Sequence, residues 1–260
     1  QTAEFFFNRR RHSDIEFSHW LREVKTAQTV HQLFSDAMPA ARLQNDPNPT
    51  IRTMAAKLCR LARIHEYVDM AETKRLFERL DRSRGLLVST FHSGFLSIST
   101  YFFVMAMPDP YWVTRVARAG DASSNAIVVQ DSERAAAFRT LKALTAGKAV
   151  LMAPDGRHHG ESSAVAMEVL GIRTTVSQGA AVLAYESNCD TGWIGAVRRG
   201  NVFVPEYIAG PRRLAGEPYP AFRDRWVAFY AERIEHSLTC EPENLVPTSR
   251  WSWPHSSLWR

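Results

Sequence analysis

Short apolar runs of strand length recur along this chain with helical patterns between them, and this alternation constrains the fold more than any other feature. Residues 86–91 form one such run, from Leu86 to Phe91, and others fall at 111–116, 126–129, 149–153, 192–197 and 201–208. Apolar residues at helical spacing mark 97–107, 132–146, 177–187 and 222–238. A strand followed by a helix cannot fold straight back on its neighbour, so successive strands pair in parallel and helices cover the sheet. The expected fold class is α/β, with a mixed, mainly parallel sheet flanked by helices.

The first 80 residues read differently, as a helical region. Phe17, Trp20, Leu21 and Val24 are spaced for a helix over 13–26, just after the basic run Arg9, Arg10 and Arg11. Such a start can lie on an anionic membrane interface, but the same pattern more often docks on its own domain, which is the expectation here. The breaker cluster Asn45-Asp46-Pro47-Asn48-Pro49 precedes Thr50, which can cap a helix running to about Met70 with Met54, Leu58, Leu61 and Tyr67 inward. A second helix is expected over 71–80, ending at Asp81-Arg82-Ser83-Arg84-Gly85. No repeat or linker interrupts the chain, so residues 1–260 are expected to form one domain with its α/β core at 85–253.

Charge narrows the partners. Lys and Arg number 32 against 27 Asp and Glu, giving +5 and a pI near 9.3, which suits an anionic membrane, nucleic acid or an acidic carrier protein. Cys59, Cys189 and Cys240 are far apart and lack metal-ligand spacing, so neither disulfides nor zinc are expected. No run reaches the ~18 apolar residues of a membrane span, and residues 1–7 are too short for a signal core. The expected location is cytoplasmic, with at most peripheral contact at the inner membrane.

In open α/β sheets reactive groups gather where strands end and helices begin. His92 falls just beyond the run 86–91, and its imidazole, titrating near ~6.5, can take a proton from a hydroxyl or amine. Gly94 permits a tight bend beside it, although a structural or surface His is the commoner reading. After the run 149–153 come Pro154, Asp155, Gly156, Arg157, His158 and His159. Asp155 can orient a His, hold a metal or accept from a ligand hydroxyl, and Arg157 can grip a phosphate; Pro-Asp-Gly is equally good turn chemistry. The adjacent pair His158 and His159 is a weak metal signal, and no metal is expected.

Three blocks in order resemble the lipid A late acyltransferases, a branch of the lysophospholipid acyltransferase superfamily. They are the strand leading to His92 and four residues beyond it, the run Ala146-Gly147-Lys148-Ala149-Val150-Leu151-Met152-Ala153-Pro154-Asp155-Gly156, and residues 169–184. The ending, with Pro242-Glu243-Asn244 before Arg250-Trp251-Ser252-Trp253, is similar as well. The resemblance implies a glycerolipid-acyltransferase-like fold and transfer of an acyl group from a thioester of acyl carrier protein or coenzyme A to a hydroxyl or amine. His92 would be the general base, and the thioester a co-substrate with no further cofactor.

The chain departs from the pattern at informative places. Ser97 stands where the family carries the acid of its His-x4-Asp/Glu motif, so the charge that supports a protonated His is missing there. Asp155 is the expected replacement, with Glu161 and Glu168 weaker candidates; Ser97 itself, as hydrogen-bond partner or nucleophile, is the alternative. Gly156 replaces a Gln, Val169 and Leu170 replace an aromatic pair, and residues 1–80 carry no hydrophobic anchor of the family's kind. An acceptor other than lipid A is therefore expected. Ser93, Gly94, Arg115, Arg118, Arg157, Gly171 and Gly179 are the expected substrate-binding positions, although on local pattern alone Arg115 and Arg118 read more readily as solvated charges, and Gly179 reads equally as a packing glycine. Two other functions remain open: aminoacyl-tRNA-dependent transfer in small-molecule biosynthesis, with the basic surface on the tRNA, and a non-catalytic relative that binds a lipid or partner.

Overall fold

A computed structural model describes residues 49, 50, 53, 54, 67–78, 80, 83–93, 96–115, 125–129, 132–155, 163–200 and 202–241. The helix expected over 13–26 and most of that expected over 50–70 lie outside these residues. Among them, six strands form one sheet: β1 (Leu86–Ser89), β2 (Tyr111–Thr114), β3 (Ala126–Val128), β4 (Ala149–Met152), β7 (Asp190–Arg199) and β8 (Val202–Ala209). Their order is β3-β2-β4-β1-β7-β8, parallel throughout except that β8 runs back against β7. β5 (Ala164–Val169) and β6 (Ile172–Ser177) form a separate antiparallel hairpin.

The central position of β1 follows from its composition. All four of its side chains are buried, and they alternate between two cores. Leu86 and Val88 pack with Ile98 and Phe102 of α2 (Leu96–Ala106), on the face that α1 (Met70–Glu78) also covers. Leu87 and Phe91 face the other layer, where α3 (Glu133–Thr145), α4 (Gly179–Ser187) and α5 (Tyr219–Cys240) supply Leu144, Ala180, Ala181, Trp226 and Tyr230. The start of β1 is pressed against the end of α3: a Cβ on Gly85 would stand 2.0 Å from the Leu144 carbonyl oxygen. Ser132 caps α3, its side chain accepting from the Ala135 N–H at 3.1 Å.

The structure differs from the sequence expectation at two elements. The helix expected to run to Met70 has given way by Tyr67, because Val68 bridges to Phe203 and the edge strand β8 is paired there. The Asp69 N–H donates to the Phe203 carbonyl at 3.0 Å and the Phe203 N–H to Tyr67 at 2.7 Å. Asp69 then caps α1, its carboxylate accepting from the Glu72 N–H at 2.9 Å. The second difference is the hairpin β5–β6, which the chain pattern did not disclose. Its turn is Leu170-Gly171, with φ of 54° and 74°, the two positive values that a two-residue hairpin turn takes. Met167, Val169, Ile172 and Val176 are buried in the second core, which is why the hairpin lies on that face. No helix among the described residues is long and apolar enough to cross a membrane.

Candidate active site

β1, β2 and β4 end on one edge of the sheet, and the candidate site occupies that edge. Ser89 and Met152 are register partners in β1 and β4, and the Thr90 N–H donates to the Met152 carbonyl at 3.0 Å. The two chains leave the sheet side by side as Phe91-His92 and Pro154-Asp155. Pro154 is held from a third direction, its carbonyl accepting from the Ser177 N–H at 3.0 Å.

This arrangement brings His92 and Asp155, 63 residues apart, into a double hydrogen bond. The His92 main-chain N–H donates to Asp155 Oδ2 at 2.8 Å, and Nδ1 of its ring lies 3.0 Å from Oδ1. The Asp155 side chain is fully buried, whereas that of His92 is 40% exposed. Both carboxylate oxygens act as acceptors, so Nδ1 carries the proton of the neutral ring and Nε2 carries the lone pair. Among the described residues no hydrogen bond engages Nε2. Desolvation pulls the His92 pKa down, but the charge of Asp155 and its hydrogen bond outweigh that and hold it above the usual histidine value.

A third donor on Asp155 comes from α5. The Tyr230 hydroxyl lies 3.2 Å from Asp155 Oδ1 and 2.9 Å from the Thr90 carbonyl. Its ring stacks on Trp226 at 5.2 Å and meets Trp193 edge-on at 5.7 Å, and Trp193 in turn stacks on Phe91 at 5.5 Å. Burial, with the Asp155 charge beside it, pushes the phenol well above its ordinary pKa. Tyr230 was not anticipated, because an aromatic four residues after Trp226 on an amphipathic helix reads as core. Nothing in its local pattern marks the hydroxyl as polar machinery.

The remaining expected positions separate into groups. Ser93 is buried next to His92, and its carbonyl accepts from the Leu96 N–H at 3.2 Å as α2 begins. Arg115 is exposed and follows β2 at the same sheet edge. Gly179 opens α4 directly after the Ser177-Gln178 segment, and its N–H donates to Ser177 Oγ at 3.2 Å. Gly171 is not at this edge. It lies in the turn at the far end of the hairpin, six residue pairs from the end where Ser177 meets Pro154. Its positive φ gives it a turn role. Glu168 is exposed on the same hairpin opposite Arg173 and does not join His92. Ser97 is the second residue of α2, but its side chain, like Gly94, Arg118, Arg157 and Glu161, lies outside the described residues.

Among the described residues no group of three or more His, Cys, Asp or Glu side chains could hold a metal ion. The buried thiol of Cys189, raised in pKa by desolvation, precedes β7 at the opposite sheet edge and offers no nucleophile to the site. Compared with known proteins, the chain matches no family model and no curated protein. Geometry and the likeness of the three sequence blocks therefore carry the functional reading.

Proposed function

We propose that this chain is an acyltransferase that moves an acyl group from a thioester of acyl carrier protein or coenzyme A to a hydroxyl or amine acceptor, with His92 as the general base. The observation that carries the reading is the His92 ring held at Nδ1 by a buried carboxylate while Nε2 lies without a hydrogen-bond partner among the described residues. A half-exposed base with its orienting acid buried behind it suits proton abstraction from a group arriving from solvent.

The chemistry balances on these atoms. Nε2 takes the acceptor's proton as the acceptor oxygen or nitrogen attacks the thioester carbonyl. The tetrahedral intermediate collapses with cleavage of the carbon–sulfur bond, and the imidazolium returns its proton to the leaving thiolate. Asp155 supports the transient imidazolium, the role that the resemblance gives to position 97, where this chain has Ser. The thioester is a co-substrate, and the reading includes no metal or other cofactor. The divergence at Ser97, Gly156, Val169 and Leu170 favours an acceptor other than lipid A, and the basic charge suits an acidic carrier protein, the phosphates of coenzyme A or an anionic membrane surface. A cytoplasmic protein with peripheral contact at the inner membrane fits this reading.

The test is thiol release from medium- and long-chain acyl-coenzyme A and acyl carrier protein thioesters. A panel of amine, sugar and glycerol-phosphate acceptors would be offered, with products identified by mass. Acceptor-dependent release that is lost in His92→Ala, at unchanged far-UV circular dichroism, is expected. Equal release by a folded His92→Ala protein removes His92 from the chemistry. Retention of acyl chains with no release by the wild type marks a binding relative instead.

A further inference from the structure

The Tyr230 hydroxyl reaches both chain segments that carry the candidate dyad. It meets the carbonyl of Thr90, two residues before His92, at 2.9 Å, and Oδ1 of Asp155 at 3.2 Å. Asp155 Oδ1 is the oxygen that also faces the His92 ring at 3.0 Å. We propose that Tyr230 is a positioning residue of the site: from the buried face of α5 it competes with the imidazole for Asp155 Oδ1, and so sets the angle and the strength with which the carboxylate holds His92. The proposal rests on the reading of His92 as base.

Packing does not explain the hydroxyl. The ring is fully buried between Trp193 and Trp226, a setting that a phenylalanine ring would fill equally well. Burial keeps the phenol neutral, so it is a donor throughout the accessible pH range and supports the carboxylate without adding charge. The surroundings contribute little else. The β1 end presents Ser89 and Thr90, β7 presents Trp193, and α5 presents Trp226 against this pair. Among the described residues Asp155 is the one group whose charge acts on both His92 and Tyr230. One fully buried carboxylate thus meets the His92 amide, the His92 ring and the Tyr230 hydroxyl, whose single hydrogen is shared between Oδ1 and the nearer Thr90 carbonyl. Donors that share one oxygen compete for its electron density, so weakening the Tyr230 contact leaves Oδ1 a better acceptor for the His92 ring.

The experiment is an NMR titration of the His92 ring nitrogens in the wild-type chain, in Tyr230→Phe, and with 3-fluorotyrosine placed at 230. Losing the hydroxyl should leave Oδ1 a better acceptor for Nδ1–H and move the His92 midpoint up. The fluorinated phenol, a stronger donor, should move it down. In the thioester assay Tyr230→Phe should lower kcat by about 3- to 10-fold with KM little changed. Opposite shifts in the two altered forms support the proposal. An unchanged midpoint, or shifts in the same direction, overturns it, since neither follows donor strength. If Tyr230→Phe does not fold, the fluorotyrosine form, which keeps the ring and hydroxyl, decides alone. The midpoints need no turnover, so a wild type that releases no thiol would sink the acyltransferase reading and leave the coupling of Tyr230 to His92 to be judged separately.

Discussion

Asp155→Asn replaces the buried carboxylate by an amide of the same shape and forces a conflict that can be followed atom by atom. The carboxylate accepts from the His92 amide at Oδ2, and from the His92 ring and Tyr230 at Oδ1. Asparagine has one acceptor oxygen. If that oxygen sits at the Oδ1 position, the new NH2 group faces the His92 main-chain N–H, donor against donor. If it sits at Oδ2, the NH2 faces Nδ1, which must give up its proton; the ring then carries its proton on Nε2, where the lone pair of the base is needed. Either outcome removes the productive tautomer or displaces the ring. General-base catalysis by a His contributes ~10²–10⁴-fold, so kcat/KM should fall by about that factor, equivalent to roughly 3–5 kcal/mol of barrier.

The pH dependence gives an independent check on the same variant. Activity requires neutral His92, and Asp155 holds its pKa above the ordinary value, so the wild-type acid limb should lie above ~6.5. Without the Asp155 charge, desolvation of the ring remains, and the limb should move to lower pH while the plateau drops. Stability follows the sign of the shift. A folded-state pKa raised above the unfolded one stabilises the fold below ~6.5, and that contribution is lost as pH rises through the folded value. The melting gap between wild type and Asp155→Asn should therefore be wider at pH 5.5 than at pH 8.5. Thioester turnover across pH, with thermal melting on the same preparations, measures all three quantities. A fully active Asp155→Asn protein beside an inactive Ser97→Ala protein would refute the reasoning and make Ser97 the working partner of His92.

Two further outcomes test the fold around the site. Gly171→Ala, at φ 74° in the hairpin turn, should cost about 1 kcal/mol in urea unfolding with turnover unaltered; a loss of turnover at unchanged stability would put the hairpin tip at the substrate. Gly85→Ala drives a methyl group to 2.0 Å from the main-chain oxygen of Leu144, which cannot rotate away, so it should destabilise by about 3 kcal/mol. A melting temperature equal to the wild type would show that α3 does not abut β1 as described.

The strand at Leu86–Ser89, the strand at Ala149–Met152 and the helices between were legible in the sequence because periodicity and caps act over a few residues. So was the placement of His92 and Asp155 just past strand ends. The hairpin Ala164–Ser177 escaped because Ala164-Val165-Ala166-Met167 is apolar at successive positions, which hides the in-and-out alternation that burial of Met167, Val169, Ile172 and Val176 shows, and its turn uses Leu170 at a positive φ that leucine rarely takes. The end of the helix expected at Met70 escaped for a related reason: residues 67–69 follow a distant edge strand instead of their local preference. The site divides in the same way. Residue type and position nominated a base and a spare acid, but their approach depends on β1 and β4 being neighbours in register, and on Ser177 holding Pro154. Tyr230 enters from 75 residues beyond Asp155 and 140 beyond Thr90. A hydroxyl on a core aromatic acquires a partner only when the helix docks, and it is tertiary packing alone that decides which oxygen it meets.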